Sequence, residues 1–518
     1  MRPFTGNERD IRTGNKYMKN NDRYKRLIKF GSAAVIMAVH VVLYYIVWTY
    51  HYNNIIQERF WGRGNFLLAG VYGAILFLLH QLYGGLKIGY LQRNNIIYSQ
   101  SIALFAVNVF AYVEVVLIDK KMHNAIPLVL LFLVDLLATV IWAFLFQWIY
   151  NLAFPPRELL VVYGERPVFN IMEKLNSRDD KYIMAGAIRL DKGIDKIMQE
   201  APKFGGVLIG DLPSHDRNLI LKRCYDDGIR VYLVPKISDI MVRSSSDLRL
   251  FDTPILLSRN DGLQIDQAFF KRILDIVSAA ALLILSSPFF LAFSAAIKAE
   301  DHGPVFYTQK RLTKDGAVFD ILKFRTMRVN AEKDGVARLA GENDDRITKV
   351  GHILRATRLD ELPQVLNILK GEMSMVGPRP ERPEIAAEYE KEIPEFKMRL
   401  KVKAGLTGYA QIYGRYNTTP YDKLKLDLTY IRNYSFFRDL QLIFMTPKIM
   451  FMKESTEGIK EGQTTASLQD IEPYRPSANL KEEVYGKSYA LEEELQKAEE
   501  REKRNKVKKR GSKAKKRR

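Results

Sequence analysis

The longest apolar runs lie in the first third of the chain. They cover, in order, Gly31 to Tyr50, Phe66 to Leu86, Ile96 to Ile118 and Ile126 to Trp148. Each run is close to the ~20 residues that a helix needs to cross the hydrocarbon core of a bilayer. The pattern predicts a region of four transmembrane helices over residues 31–150. The first run is long and is followed by further spans, which argues against a removable signal peptide.

After Pro155 the pattern changes to short β-rich runs that alternate with helical ones. The strand-like runs are Leu159 to Tyr163, Tyr182 to Ile188, Gly206 to Ile209 and Arg230 to Val234. This alternation is typical of βαβ units, so we expect a Rossmann-like α/β domain with a small parallel sheet over residues 155–260. The turn after the first run, Gly164 to Pro167, lacks the G-x-G-x-x-G that lets backbone approach a pyrophosphate. We therefore expect a structural or regulatory domain and no dinucleotide site.

A fifth apolar run, Ile276 to Ile297, carries Ser287 and Pro288 near its centre. A proline inside a helix removes one hydrogen bond of the ladder and clashes with the preceding turn. Positive charge lies on both flanks, from Lys271 and Arg272 before the run and Lys298 after it. Ends of like charge fit poorly with opposite faces of a membrane. We predict a re-entrant helix over about residues 271–298, broken at Ser287 and Pro288, with an ordinary kinked span as the alternative.

The positive charge of the chain is concentrated at its two ends. The formal net charge is +20, of which Met1 to Phe30 supplies +6 and Arg501 to Arg518 supplies +11, leaving +3 for the rest. A basic face for nucleic acid is therefore not indicated, and we expect no nucleic-acid partner. Residues 1–30 are predicted to be a basic cytoplasmic N-terminus, because positive charge ahead of a first span favours the inside. Residues 456–518 form a charged C-terminal tail, for which attraction to an anionic leaflet and plain solvation are both open.

Two adjacent carboxylates, Asp360 and Glu361, stand just before Pro363, which fits the first turn of a helix and not its interior. The start of a helix presents unpaired N–H groups and the positive end of the helix dipole. Arg355 and Arg358 precede the pair and add positive charge. The location suits a phosphate, although plain helix capping is the favoured explanation of the pair when it is taken alone.

Further motifs rich in Lys, Arg, Gly and Pro also point to phosphate. Lys323 and Arg325 stand where a predicted strand ends and a loop begins. Arg379 lies between two prolines, whose fixed φ lowers the entropy lost when a guanidinium binds an oxyanion. The segment Gly405 to Gln411, followed by Gly414 and Arg415, predicts a loop where backbone can approach a ligand closely. Surface charge or a rigid turn would explain each motif by itself.

The joint order of these motifs closely resembles that of the bacterial sugar transferase family, the monotopic phosphoglycosyl transferases. The matching motifs are Lys271 to Asp275, Ser287-Pro288, Gly303 to Phe306, Gln309 to Arg311, Lys323 to Met327, Leu359 to Gln364, Gly377 to Pro380 and Lys403 to Gln411. The spans and the Rossmann-like domain ahead of them resemble the long polyprenyl-phosphate hexose-1-phosphate transferase subgroup. The resemblance implies an α/β phosphoglycosyl transferase domain over residues 267–455, seated in one leaflet by the re-entrant helix.

The resemblance implies a reaction, a cofactor and a location. A sugar 1-phosphate would pass from a UDP-sugar to polyprenyl (undecaprenyl) phosphate with release of UMP, as the first membrane step of exopolysaccharide, capsule or O-antigen synthesis. Asp360 would be the nucleophile that forms an aspartyl phosphosugar, and Glu361 would be a ligand of Mg²⁺. The predicted ligands of phosphate oxygens are Lys323, Arg325, Arg355, Arg379 and Arg415. A multi-pass protein of the bacterial inner membrane is expected, with its catalytic domain facing the cytoplasm, in contact with membrane lipid and able to form a homodimer.

Three rival hypotheses remain at this point. Asp360 could only bind metal in a single displacement, the transferase domain could be degenerate in a membrane scaffold or regulator, or the protein could be a transporter. The intact Asp360, Glu361, Lys323 and Arg379 argue against a degenerate domain. Asp135, within the fourth apolar run, is thin support for a transporter. The sugar is not encoded by any of these motifs.

Overall fold

The computed structural model describes residues 24–164, 171–172, 175, 178–250, 252–259, 262–329, 346–414 and 418–450. Most of the predicted basic N-terminus, the charged tail and Arg415 lie outside these residues. The chain divides into two compact units, one ending at Val234 and the next beginning at Pro235. This division comes earlier in the chain than the boundary near residue 260 that the sequence predicts.

Four long helices open the first unit. They are α1 (Lys25–Val47), which continues through a π-helical turn over Trp48–Tyr52 and a short turn over Asn53–Ile55, α2 (Arg63–Tyr83), α3 (Arg93–Asp119) and α4 (Ile126–Ala153). Each helix occupies the place of a predicted span and is long and apolar enough to cross a membrane. Many large apolar side chains on these helices are exposed, as lipid-facing positions would be.

Polar side chains join these helices in the interior of the bundle. His40 Nδ1 on α1 lies 2.8 Å from Asp135 Oδ1 on α4, and both side chains are fully buried. Thr139 on α4 donates to Gln100 Oε1 on α3 at 3.0 Å, and Gln100 Nε2 donates to the carbonyl of Gly85 at 2.9 Å. A buried polar group without a partner is costly, so these contacts favour one arrangement of the helices.

A parallel four-stranded sheet follows the helices, in the order β2-β1-β3-β4. Its elements are β1 (Arg157–Tyr163), β2 (Tyr182–Arg189), α5 (Ile194–Glu200), β3 (Gly206–Ile209), α6 (Ser214–Asp226) and β4 (Val231–Leu233). The central strand β1 is buried from Leu159 to Tyr163, as its uninterrupted apolar run requires for a strand covered on both faces. The predicted α/β region with a parallel sheet is confirmed.

The second unit begins with α7 (Ile237–Arg243) and an antiparallel hairpin of β5 (Ser246–Leu250) and β6 (Thr253–Leu257). The elements that follow are α8 (Ile265–Asp301), β7 (Phe306–Leu312), β8 (Val318–Phe324), α9 (Lys349–Thr357), α10 (Gln364–Lys370), β9 (Ser374–Val376), α11 (Pro383–Glu392), β10 (Gly405–Thr407), α12 (Tyr409–Tyr413), α13 (Pro420–Arg432) and α14 (Phe436–Met450). Strands β7 and β8 pair antiparallel, whereas β9 and β10 pair parallel. Ile237 and Ile240 of α7 pack with Leu424 and Leu428 of α13, which explains why these residues group with the second unit.

Helix α8 runs from Ile265 to Asp301 with Pro288 inside it, so a bend at the predicted positions, Ser287 and Pro288, lies within one helix. Proline lacks the N–H that would otherwise bond to the carbonyl of Ile284, four residues earlier. The hydroxyl of Ser287 donates to that same carbonyl at 2.8 Å. It supplies a partner for the acceptor that proline leaves without one, and the helix runs on to Asp301.

Both ends of α8 are fixed to the second unit by charged side chains. Near its start, Lys271 Nζ lies 2.5 Å from Asp439 Oδ2 on α14 and donates to the carbonyl of Val376 at 2.8 Å. At its end, Asp301 forms an ion pair with Arg325, just after β8. The long apolar helix is therefore held at two places by the same globular structure.

Candidate active site

The two carboxylates, Asp360 and Glu361, lie in a 3₁₀ turn over Leu359–Glu361, between α9 and α10. Arg358 ends α9 in the left-handed conformation, with φ of 55°, and so redirects the chain just ahead of them. Pro363 is the N-cap of α10, in keeping with its predicted place at a helix start. The carboxylates therefore stand about one turn ahead of the helix.

Asn367 of α10 fixes this turn beside the end of β8. Its Nδ2 donates to the carbonyl of Asp320 at 2.8 Å, and its Oδ1 accepts from the backbone N of Leu322 at 3.0 Å. The side chain is only 1% exposed, so these contacts are shielded from water. Lys323 follows Leu322 directly, and its side chain reaches the carboxylate turn.

Glu361 accepts contacts from two cations. Lys323 Nζ lies 3.0 Å from Glu361 Oε1, and Arg379 Nη2 lies 2.7 Å from the same oxygen. Arg379 Nη1 makes a longer contact of 3.5 Å with Oε2. Burial by itself would raise the pKa of Glu361, but Arg379 and Lys323 outweigh it and hold that pKa well below its usual range. Glu361 is therefore ionised at neutral pH and holds both cations in place.

Asp360 has a different environment from its neighbour. It is partly buried, and its carboxylate accepts no hydrogen bond from any residue that the structure describes. Burial and the negative charge of Glu361 raise the pKa of Asp360 to about 6, against the opposing effect of Lys323, Arg355 and Arg379. At neutral pH this carboxylate is mostly ionised and its lone pairs are available, which are the properties of an activated oxygen nucleophile.

Close backbone approach sets the position of Arg379 after β9. The N–H of Gly377 donates to the carbonyl of Thr407 at 2.8 Å, which joins the residues after β9 to β10. A Cβ on Gly405 would lie 2.0 Å from the N of Gly377, so only glycine permits this approach. The chain then turns through Pro378 and presents Arg379 to Glu361.

Arg399 holds the same segment from the other side, and the sequence interpretation missed it. Its Nη2 donates to the carbonyl of Arg379 at 3.0 Å and lies 2.8 Å from Asp427 Oδ2. Both Arg399 and Asp427 are buried, so the guanidinium fixes backbone and not ligand. No local pattern links these residues, because Asp427 lies 28 positions further along the chain.

The structure brings some of the predicted phosphate ligands together and separates one. Lys323 and Arg379 meet at Glu361, and Arg355 acts electrostatically on Asp360 while its Nε donates to Thr326 Oγ1 at 2.9 Å. Arg325 is not part of this group. Its buried guanidinium pairs with Asp301, and its Nε donates to the carbonyl of Pro304 at 2.6 Å. All three nitrogens of Arg325 donate to Asp301 or Pro304 and so fix the end of α8, and its predicted role in substrate binding stays a prediction. Arg415 lies outside the described residues.

The carboxylate pair can be tested as a site for Mg²⁺. Within the described residues there is no group of three His, Cys, Asp or Glu side chains that could hold a metal ion. Phosphoryl-transfer sites commonly bind Mg²⁺ through only one or two carboxylates, together with substrate phosphates and water. Glu361 Oε2 has only the 3.5 Å contact with Arg379, so that oxygen remains available to an ion. The donor set therefore fits Mg²⁺ in the presence of a phosphate ligand.

Comparison with protein families agrees with this site. Residues 266–453 match the family described as bacterial sugar transferase, an interval that contains both carboxylates and their cations. The UDP-N-acetylgalactosamine-undecaprenyl-phosphate N-acetylgalactosaminephosphotransferase of Aeromonas hydrophila is 41% identical over 258 residues, which are 48% of this chain and 60% of that relative. The UDP-glucose:undecaprenyl-phosphate glucose-1-phosphate transferase of Klebsiella pneumoniae is 42% identical over 235 residues, or 44% of this chain and 50% of the relative.

A third relative is matched over most of its own length. The exopolysaccharide production protein ExoY of Rhizobium meliloti (strain 1021) is 40% identical over 192 residues, which are 34% of this chain and 83% of that protein. The chain belongs to the bacterial sugar transferase family, as the sequence motifs indicated. It spans between half and three-fifths of the length of the first two relatives.

Proposed function

We propose that the protein transfers a sugar 1-phosphate from a UDP-sugar to polyprenyl phosphate and releases UMP. The observation that carries this proposal is the contrast between two adjacent carboxylates. Glu361 is tied to Lys323 and Arg379, whereas Asp360 accepts no hydrogen bond among the described residues and has a pKa raised to about 6. The names of two relatives describe transfer of a sugar phosphate to undecaprenyl phosphate, which supports the same reaction class.

In the first step, an Asp360 carboxylate oxygen attacks the phosphorus that bears the sugar. A phosphorus–oxygen bond forms to Asp360, and the bond to the bridging oxygen of the donor diphosphate breaks. UMP leaves with that oxygen and its electron pair, and the sugar phosphate stays on Asp360. Lys323 and Arg379, held by Glu361, would neutralise charge on the non-bridging oxygens during this step.

In the second step, an oxygen of polyprenyl phosphate attacks the same phosphorus. The bond to Asp360 breaks, and the carboxylate leaves as the anion with which the cycle began. A carboxyl group with a pKa near 6 serves well in both directions, because it is ionised before attack and is a weak base when it leaves. Mg²⁺, which Glu361 would hold, would supply further charge neutralisation at the diphosphate.

The proposal places the protein in the bacterial inner membrane, with the second unit facing the cytoplasm. Helices α1 to α4 would cross the bilayer, the parallel sheet would form a Rossmann-like domain, and α8 would enter one leaflet and return. The attachment of both ends of α8 to the second unit supports the re-entrant course. Lys298→Cys in a Cys224→Ser background should be labelled only from the cytoplasmic side. Labelling from the outside would instead show that α8 crosses the membrane.

The reaction is tested by supplying UDP-sugars to the full-length protein with polyprenyl phosphate and measuring UMP. At least one sugar should give UMP, and Asp360→Asn should lose that activity. Asp320→Asn is a matched control, because Asp320 is exposed and lies 3.8 Å from Lys310 at the hairpin. Donor alone should leave a phosphosugar on Asp360, detectable by mass spectrometry of the intact protein. If UMP is formed but no such adduct accumulates on rapid quenching, a single displacement becomes the better mechanism.

A further inference from the structure

Three cations near Arg379 have no carboxylate partner among the described residues. They are Arg311 on β7, Arg382 at the N-cap of α11 and Lys423 on α13. All three are partly buried, and the structure gives only Arg311 a side-chain hydrogen bond, from its Nη2 to Gln309 Oε1 at 2.6 Å. Unpaired guanidinium and ammonium groups are usually exposed, so their partial burial here calls for an explanation.

Arg311 and Lys423 both feel the positive charge of Arg379, and Arg311 also feels that of Arg382. The backbone N of Leu312 donates to the carbonyl of Glu381 at 3.0 Å, which brings the end of β7 beside Arg382. Burial, together with the positive charges of Arg382 and Arg379, lowers the pKa of Arg311 to about 10 against the opposing effect of Glu381. Burial also lowers the pKa of Lys423 against the opposing effect of Glu381, and Arg399 and Arg379 add to the lowering. An anion bound among these groups would relieve their repulsion.

The neighbouring carboxylates do not balance this charge. Asp427 Oδ2 lies 2.8 Å from Arg399 Nη2, and Glu381 Oε1 lies 3.7 Å from Arg399 Nη1. Asp427 is therefore paired with the buried Arg399, whereas Glu381 lies near Arg399 and also acts electrostatically on Arg311 and Lys423. The positive charges of Arg311, Arg382 and Lys423 remain in excess beside Arg379.

One face of the β7–β8 hairpin connects Arg311 to the turn that carries Asp360 and Glu361. Tyr307 pairs with Lys323 across the hairpin, and Tyr307, Gln309 and Arg311 alternate onto one face of β7. Lys323 and Arg311 therefore mark the two ends of one face, roughly 14 Å apart by the rise of a strand. Arg379 contacts Glu361 and also acts on Arg311, so it bridges the two ends.

We propose that Arg311, Arg382 and Lys423 form a second anion site, adjoining Arg379, that binds a phosphomonoester dianion. This inference rests on the proposed function, in which each turnover releases one phosphomonoester, UMP, and consumes another, polyprenyl phosphate. The position of Arg311 favours the nucleotide. Phe306, at the opposite end of β7, stacks with Phe324, which also contacts Phe290 of the apolar helix α8. A lipid phosphate would arrive at that apolar end, whereas the Arg311 end suits a water-soluble product.

Binding of UMP to the full-length protein tests the site without any turnover. Titration calorimetry should show UMP affinity lowered about tenfold in Arg311→Gln, because a charge-assisted contact is lost. Lys310→Gln should bind UMP as the wild type does. Lys310 is the adjacent residue of the same strand, points to the opposite face and is exposed near Asp320. The KM for polyprenyl phosphate should be unchanged in Arg311→Gln.

A second variant and a second ligand make each outcome decisive. Lys423→Gln should weaken UMP binding in the same direction, and neither variant should melt at a lower temperature than the wild type. Unchanged UMP affinity in both variants would overturn the site. A raised KM for polyprenyl phosphate with unchanged UMP affinity would overturn its assignment to the nucleotide. Because UMP binding is measured directly, a failure to find any transfer activity would refute the proposed function and leave this result standing.

Discussion

Replacement of Asp360 by asparagine is expected to stabilise the second unit while it abolishes transfer. The pKa of Asp360 is raised from 3.8 to about 6, because burial and the neighbouring Glu361 oppose its ionisation. The folded protein therefore binds this proton more tightly than the unfolded chain does. Its stability falls as the pH rises through the window between these two values, and above that window the wild type carries the full penalty. Asparagine carries no charge and therefore avoids this loss of stability.

The size of the effect follows from the shift in the pKa. A rise of about two pH units corresponds to about 3 kcal/mol of folding free energy. For a unit of this size, that is an increase in Tm of roughly 5 to 10 °C. Calorimetry of the full-length protein is the appropriate measurement, since all the tryptophans lie in the first unit: Trp48, Trp61, Trp142 and Trp148. The difference between Asp360→Asn and wild type should be largest near pH 8 and vanish below about pH 3.

Two matched variants separate this cause from a general effect of removing charge. Glu361→Gln should destabilise the unit, because it removes the carboxylate that pairs with Lys323 and Arg379. Asp320→Asn should change the melting temperature little, because Asp320 is exposed. A raised pKa of Asp360 is contradicted if Asp360→Asn melts no higher than wild type near pH 8, or if a gain in stability persists below about pH 3.

Three further outcomes are expected. The kcat/KM for the donor should rise with pH through about 6 as Asp360 ionises, and a rise centred near pH 4 would contradict the raised pKa. Arg379→Lys should lower kcat/KM by about tenfold or more, because an ammonium cannot reproduce the forked contact with Glu361. An activity within about twofold of wild type would show that only the positive charge matters. Lys271→Met should destabilise the second unit by about 3 to 5 kcal/mol in denaturant unfolding, since it leaves Asp439 buried without its cation. Adding Asp439→Leu should restore much of the lost stability. No loss in the single variant would show that the ion pair is dispensable.

The sequence predicted elements and neighbours better than it predicted distant contacts. The apolar run of β1 and the place of Pro363 were readable because backbone preferences act over a few residues. The different environments of Asp360 and Glu361 were not readable, since they depend on Lys323 and Arg379, which lie 38 and 18 positions from Glu361.

The contacts of Arg325 and of the turn before Pro288 were not readable for a similar reason. Arg325 looked like a phosphate ligand because its partner, Asp301, lies 24 positions earlier and no local pattern announces the pair. Pro288 looked like a helix break because its own chemistry removes a hydrogen bond. The hydrogen bond from Ser287 to the carbonyl of Ile284 depends on the rotamer of Ser287, which a sequence pattern does not specify.

The ion pair of Lys271 with Asp439 links the position of helix α8 to that of Arg379. Lys271 also donates to the carbonyl of Val376, and Arg379 follows three residues later in the same chain. The apolar helix that would rest in lipid is thus bonded to the strand that precedes Arg379, whose guanidinium is proposed to bind phosphate. A tilt or vertical shift of the helix would be transmitted to that guanidinium over a short, well-packed path. A change in the depth of the helix in its bilayer would therefore also change the alignment of the reacting phosphate.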